Sequence, residues 1–288
     1  MPDLSTAALL TELHNNLNGK VEAPREMGLL LIAYVLNKPK TWIMAYPRHE
    51  LTPAEVSQVK LLTRRLAEGE PLPYITGLQE FYGLSFNVNE HVLIPRPETE
   101  LLVDEALAWL DKNLKSTIGI DVGTGSGCIA ITLAAINKTT HFIASDISQK
   151  ALLTAKSNAF AQQVENRINF VQADLLSTFR CQFDLICANL PYIPTHKLEE
   201  VNTLGFEPIE ALDGGKDGLR FIRLLLLQAQ YCIKSPGLIL LEIEASTGLA
   251  SFNLAKNLFP CAKVSLIKDF SEHDRLLKIQ VGALDDYK

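Results

Sequence analysis

The chain has 288 residues, 47% hydrophobic and 21% charged with a net charge of −6, which excludes a disordered polymer and lacks the usual footprint of a nucleic-acid binder. No apolar run reaches the roughly 18 residues of a membrane span, and no basic-then-apolar leader opens the chain, so neither an anchor nor a secretory signal is expected. Cys128, Cys181, Cys187, Cys232 and Cys261 are dispersed, as are the six histidines, a pattern of buried thiols in a reducing cytoplasm rather than a disulfide frame or a metal site.

From Leu4 to Ala67 the pattern is helical. Leu9, Leu10, Leu13 and Leu17 recur at helical spacing, as do Leu29, Ile32, Ala33 and Leu36. Pro24, Pro39, Pro47 and Pro53 fall at the expected boundaries. Thr52-Pro53-Ala54-Glu55 has the form of a capping box with proline in the first turn. A small helical domain is expected over 1–72.

The pattern changes at Pro71-Leu72-Pro73. From Tyr74 to Leu93 the chain is aromatic and β-branched, interrupted by Gly77 and Gly83, which predicts a β-hairpin linker over 73–95 with Phe81, Tyr82 and Phe86 packed between two domains. Ile94-Pro95-Arg96-Pro97-Glu98-Thr99-Glu100 then leads into an amphipathic helix through Leu101, Leu102, Ala106 and Leu110. It reads either as a well-capped helix start or as a lid beside a ligand site.

Beyond Thr117 strands and helices alternate. Strands are expected at Ile118–Val122, His141–Ser145, Ile168–Val171, Phe183–Cys187, Gly237–Ile243, Val264–Lys268 and Leu276–Val281, with the last two antiparallel across an acidic turn. This predicts an α/β fold with a mostly parallel, doubly covered sheet over 96–288.

Asp121-Val122-Gly123-Thr124-Gly125-Ser126-Gly127 joins the first of these strands to a helix. Its spacing is tighter than the dinucleotide fingerprint, and Asp121 would repel a pyrophosphate but could accept hydrogen bonds from an ammonium group. S-adenosylmethionine, which has an amino-acid end and no phosphates, therefore suits it better than NAD. Asp146 ends the second strand where a ribose diol is usually held, although Ser148 beyond it reads as a helix cap and Asp146 could be a surface acid. Asp174, with Leu175, follows the third strand as an adenine partner or an ordinary turn aspartate. After the fourth strand come Asn189-Leu190-Pro191-Tyr192. The bland reading is a strand-ending turn. The alternative is an acceptor site for a planar NH2, with the Asn189 side chain and the Leu190 carbonyl taking its two hydrogens. Acids, glycine turn and acceptor site fall at successive strand ends, where open α/β sheets bind ligands, and this favours the functional reading.

With these residues in place the chain resembles the release factor glutamine methyltransferase family (PrmC, also HemK) over almost its full length. The matching stretches are Tyr74-Ile75-Thr76-Gly77, Glu80 to Leu84, Leu93 to Glu100, Asp121 to Gly127, Asp146, Asn189 to Tyr192, Glu207-Pro208 and Ala211 to Leu219. The resemblance implies a seven-stranded, mostly parallel class I methyltransferase (Rossmann-like) sheet with a helical N-terminal domain that docks the substrate. It implies S-adenosyl-L-methionine held by Asp121, Gly123, Thr124, Gly125, Ser126, Gly127, Asp146, Asp174, Leu175 and Asn189. Catalysis and substrate binding would fall to Asn189, Leu190, Pro191 and Tyr192, acting on the glutamine of the Gly-Gly-Gln motif in peptide-chain release factors. A cytoplasmic monomer is expected, with no membrane, metal or direct nucleic-acid partner.

Leu190 departs from the family's usual Asn-Pro-Pro-Tyr, and Asn-Leu-Pro-Tyr also resembles the motif of ribosomal RNA adenine dimethylases. Glu242-Ile243-Glu244-Ala245-Ser246 departs from the family pattern as well. A ribosomal-protein glutamine methyltransferase, an adenine-N6 methyltransferase acting on RNA or DNA, and a non-enzymatic cofactor-binding module stand as alternatives.

Overall fold

In the computed structural model, which describes residues 4–113, 117–198 and 205–282, the chain divides into two units, Met1–Leu78 and Gln79–Lys288. The first unit contains helices α1 (Thr6–Leu17), α2 (Pro24–Leu36), α3 (Lys40–Ala45), α4 (Pro53–Ala67) and α5 (Leu72–Thr76). Leu9, Leu13 and Leu17 of α1 are buried at four-residue spacing; Leu9 and Leu13 join Ile32 of α2 and Val59 of α4 in one apolar cluster, and Leu17 joins Leu31, Leu62 and Leu66 in a second. The capping box of α4 forms as its sequence predicts. Thr52 Oγ1 accepts from the Glu55 N–H at 3.3 Å, and the Thr52 N–H donates to Glu55 Oε2 at 2.7 Å.

The linker differs from expectation. Tyr74-Ile75-Thr76 belongs to α5, whose second residue is Pro73 and which ends at Gly77 in the left-handed region, so the strand expected from Tyr74 begins later. The hairpin is short, with β1 (Leu78–Phe81) and β2 (Leu84–Asn87) joined through Tyr82 and Gly83, both at positive φ. Phe81 and Phe86 are buried within the core of the second unit, beside Leu102, Val103 and Ala106 of α6 (Glu100–Leu110).

Seven strands among the described residues of the second unit form one sheet: β3 (Ile118–Val122), β4 (His141–Asp146), β5 (Ile168–Gln172), β6 (Phe183–Ala188), β7 (Ile233–Glu242), β8 (Lys263–Lys268) and β9 (Asp274–Val281). Their order is β5-β4-β3-β6-β7-β9-β8, all parallel except β9, which runs antiparallel to both its neighbours. Helices α7 (Cys128–Ile136), α8 (Gln149–Ala161), α9 (Arg220–Cys232) and α10 (Gly248–Leu258) connect the strands. Alternate residues serve opposite faces. Leu185, Cys187, Leu238 and Leu240 enter one core cluster, and Ile186, Ala188, Ile239 and Leu241 the other. The expected buried thiols are Cys128, Cys187 and Cys232, whereas Cys181 and Cys261 are exposed.

Strand order reverses at β3. The chain runs from β3 outward through β4 and β5, then returns to the other side of β3 as β6. Such a switch point opens a crevice at the carboxyl ends of the strands. Parallel register aligns those ends, with Val122 opposite both Ser145 and Ala188, and Ala188 opposite Leu241. Asn189 and Glu242 therefore leave adjacent strands on the same rung.

Candidate active site

The turn after β3 is held from beneath by Asp121. This carboxylate is fully buried. Its Oδ2 accepts from Thr124 Oγ1 at 2.6 Å and from the Ala130 N–H at 3.2 Å, tying both turn and helix α7 to the strand. Oδ1 has no partner among the described residues. Burial pushes the carboxyl up to about 7, against the pull of those two hydrogen bonds. Asp121 is not among the residues that line the adjacent cavity, and its carboxylate anchors the turn.

Gly127 has φ +84°, and a Cβ there would lie 2.6 Å from Ile131 Cδ1 and 3.1 Å from Ala155 Cβ. It begins α7 by packing the helix tightly, away from the cavity. Gly123, Thr124, Gly125 and Ser126 line the cavity. Their backbone is largely committed to the protein. The N–H groups of Gly123 and Thr124 donate to the Ser145 carbonyl, and that of Gly125 donates to Asp146 Oδ2 at 2.9 Å. With these three N–H groups taken and the Asp146 carboxylate alongside, the turn is poorly suited to a pyrophosphate.

The cavity has a volume of about 850 Å³, within the range of small-molecule sites. Asp146 lies on its wall with Oδ1 taking the Ser148 N–H at 2.8 Å, and burial raises its pKa. Each carboxylate oxygen retains a lone pair, which suits a hydroxyl donor such as a ribose diol. Asp174 and Leu175 line the same wall beyond β5, with Asp174 exposed and Leu175 buried at a positive φ of 50°.

Asn189, Leu190 and Pro191 complete the cavity on the β6 side. Asn189 Nδ2 donates to Thr99 Oγ1 at 3.1 Å, and Thr99 in turn donates to Glu242 Oε2 at 2.6 Å. Among the described residues, nothing donates to Asn189 Oδ1 or to the Leu190 carbonyl. The Leu190 side chain is buried in the core and lies beside Gly123. Tyr192, expected with the other three to bind substrate, is not among the residues that line the cavity. Its hydroxyl donates to Glu242 Oε1 at 3.1 Å, and burial together with that carboxylate raises its pKa.

Sequence reasoning missed what supports this turn. Ala211 to Leu219 clasps it. Ile193 N–H donates to the Leu212 carbonyl, and Gly214 N–H donates back to the Ile193 carbonyl. A Cβ on Gly214 would lie 2.6 Å from Tyr192 Cα. Glu207 ion-pairs with Arg96 and accepts from the Ile94 N–H at 3.3 Å, which joins two of the quoted motifs. Glu242 stood out in the sequence only within a stretch that departs from the family pattern, because its partners Thr99 and Tyr192 are remote in sequence.

The residues present fit S-adenosylmethionine: a crevice at the switch point, an acid at the end of β4, and a turn whose glycine N–H groups are already used. Fold and site define a class I, S-adenosylmethionine-dependent methyltransferase. Residues 8–77 match the PrmC N-terminal domain, and residues 99–204 match the methyltransferase small domain. The release factor glutamine methyltransferase of Moorella thermoacetica is 38% identical over 89% of this chain and 91% of its own length. The one from Bacillus cereus is 34% identical over 90% and 93%. Among solved structures, a methyltransferase from Pyrococcus furiosus shares the fold at TM-score 0.52 and 16% identity, covering 78% of this chain and 98% of that one. This chain belongs to the release factor glutamine methyltransferase family.

Proposed function

We propose that this chain methylates the side-chain amide nitrogen (N5) of the glutamine in the Gly-Gly-Gln motif of peptide-chain release factors. The carrying observation is the pair of acceptors at the end of β6. Asn189 Oδ1 and the Leu190 carbonyl belong to one cavity-lining turn, neither receives a donor from the described residues, and a primary amide has two hydrogens to give.

S-adenosylmethionine supplies, when bound, a methyl group on a sulfonium sulfur that departs as a neutral thioether. An amide nitrogen is a poor nucleophile because its lone pair is delocalised into the carbonyl. Asn189 and Leu190 hold its two hydrogens and so aim the nitrogen along one line, a positioning effect. As the lone pair is committed, the N–H groups become stronger donors and both acceptors bind them more tightly. The site therefore favours the transition state over the ground state. The surplus proton leaves to solvent after transfer, so no side chain has to act as a base beforehand. Pro191 borders the space for the glutamine side chain, and Asp146, Asp174 and Leu175 hold the nucleoside end of the donor.

The helical unit over 1–72 is the docking surface for the release factor, and the enzyme works as a cytoplasmic monomer without nucleic acid. No helix among the described residues is long and apolar enough to cross a membrane. The test is to incubate the protein with labelled S-adenosylmethionine and, separately, unmethylated release factor, ribosomal proteins and ribosomal RNA, mapping any label by mass spectrometry. A single methyl on the release-factor glutamine is expected. Label confined to ribosomal protein or RNA would overturn the substrate assignment.

A further inference from the structure

We propose that Glu242 and Thr99 are positioning residues that determine which end of the Asn189 side-chain amide faces the cavity. The inference rests on the reading of Asn189 as the acceptor for the substrate amide.

The two ends of an asparagine amide are nearly the same size, so shape alone does not choose between them. The choice falls to the hydrogen-bond partners. Glu242 ends β7 and is 2% exposed. Its Oε2 takes the Thr99 hydroxyl proton at 2.6 Å, and its Oε1 takes the Tyr192 hydroxyl at 3.1 Å. A threonine hydroxyl has one proton. With that proton committed to the carboxylate, Thr99 Oγ1 offers only lone pairs to its other neighbour. Asn189 must then present Nδ2, as it does at 3.1 Å. Reversing the amide would set two acceptors against each other at Thr99, which is only 2% exposed. Oδ1 is left for the substrate. The reversed amide would offer the substrate's NH2 another NH2.

The same carboxylate holds Tyr192, two residues beyond the Leu190 carbonyl, so one buried group governs both acceptors. Burial raises the pKa of Glu242, while the hydrogen bonds from Thr99 and Tyr192 and the opposite charge of Arg275 on β9 favour its ionised form. Thr99 itself is brought in by the turn Pro97–Thr99 ahead of α6, which gives the Arg-Pro-Glu-Thr-Glu stretch a part in the reaction without direct substrate contact.

The experiment compares Thr99→Val, Thr99→Ser, Thr99→Ala and Asn189→Ala, together with the Asn189→Ala/Thr99→Val double variant. It measures kcat on release factor, the Kd of S-adenosylmethionine and Tm. Thr99→Val should lower kcat by about a hundredfold while leaving the Kd within about threefold. Thr99→Ser, which keeps the hydroxyl, should stay within about fivefold of the parent, and Thr99→Ala should fall with Thr99→Val. Adding Thr99→Val to Asn189→Ala should cost nothing more, because Thr99 acts through Asn189. Equal further loss in that background would overturn the proposal in favour of a purely structural role. So would near-parental kcat in both Thr99→Val and Thr99→Ala beside an inactive Asn189→Ala. An active Asn189→Ala would instead mark failure of the acceptor reading on which the proposal rests.

Discussion

Leu190 lies against the open face of Gly123: a Cβ added to Gly123 would stand 3.0 Å from Leu190 Cδ2. The first turn of the site and the last are thus in contact. A leucine in the second position of the Asn-Leu-Pro-Tyr turn is accommodated because its side chain fills core space while its carbonyl stays at the cavity. Gly123 also has φ +72°, which an L side chain rarely adopts. Gly123→Ala should lower stability by about 1–2 kcal/mol and weaken S-adenosylmethionine binding by displacing Leu190. Thermal unfolding and calorimetric titration check both, and an unchanged Tm and Kd would show that the contact is slack.

Asn189→Ala removes the side-chain acceptor and leaves the backbone of the turn in place. Turnover should fall by about 10²–10³-fold with little change in the Kd of S-adenosylmethionine. Leu190→Ala keeps its carbonyl and should behave differently, losing about 2–4 kcal/mol of stability for a buried side chain but retaining most of kcat. Steady-state kinetics beside denaturant melts distinguish the two, and equal losses of kcat would remove the special role of Asn189.

Asp146 receives the Gly125 and Ser148 N–H groups and faces the cavity. Asp146→Ala should raise the Kd of S-adenosylmethionine by about tenfold or more, since a ribose diol would lose a charged acceptor. S-adenosylhomocysteine should be affected equally, because the two share the ribose. A Kd unchanged for both would move the nucleoside elsewhere in the cavity.

Asp121 predicts a pH dependence of stability. Its pKa rises from an ordinary 3.8 to about 7 because the fold strips water from the carboxyl. Between those values the unfolded chain ionises Asp121 while the native state keeps the proton. The unfolded state then binds fewer protons, so stability falls as pH rises from about 4 to about 7 and levels off above. The contribution is up to about 4 kcal/mol at 1.36 kcal/mol per unit. Asp121→Asn, which cannot ionise, should flatten that slope in melts compared at pH 4.5 and 7.5. An unaltered slope would assign the pH dependence to other groups.

Much of the fold was legible because its signals are local. Periodic leucines marked α1, Thr52 and Glu55 marked the start of α4, and short apolar runs marked all seven strands within a few residues of their observed bounds. The hairpin was placed too early because Tyr74, Ile75 and Thr76 favour strands, while Pro73 in the first turn and Gly77 at the end allow a short helix. The glycine turn, Asp146, Asp174 and the Asn189 turn were found together because a parallel sheet puts its ligand-binding residues at strand ends, and strand ends are visible in sequence.

What the sequence determined by itself, then, was where each chemically useful residue leaves its strand. Which of them turn toward the cavity was decided only by tertiary structure, since that depends on partners far apart in the chain. Asp121 faces inward because Thr124 and the Ala130 N–H hold it there. Tyr192 turns from the cavity to Glu242, fifty residues later, and Asn189 is oriented by Thr99, ninety residues earlier. A buried hydrogen bond is directional and must be satisfied, and no local pattern encodes a partner at that distance.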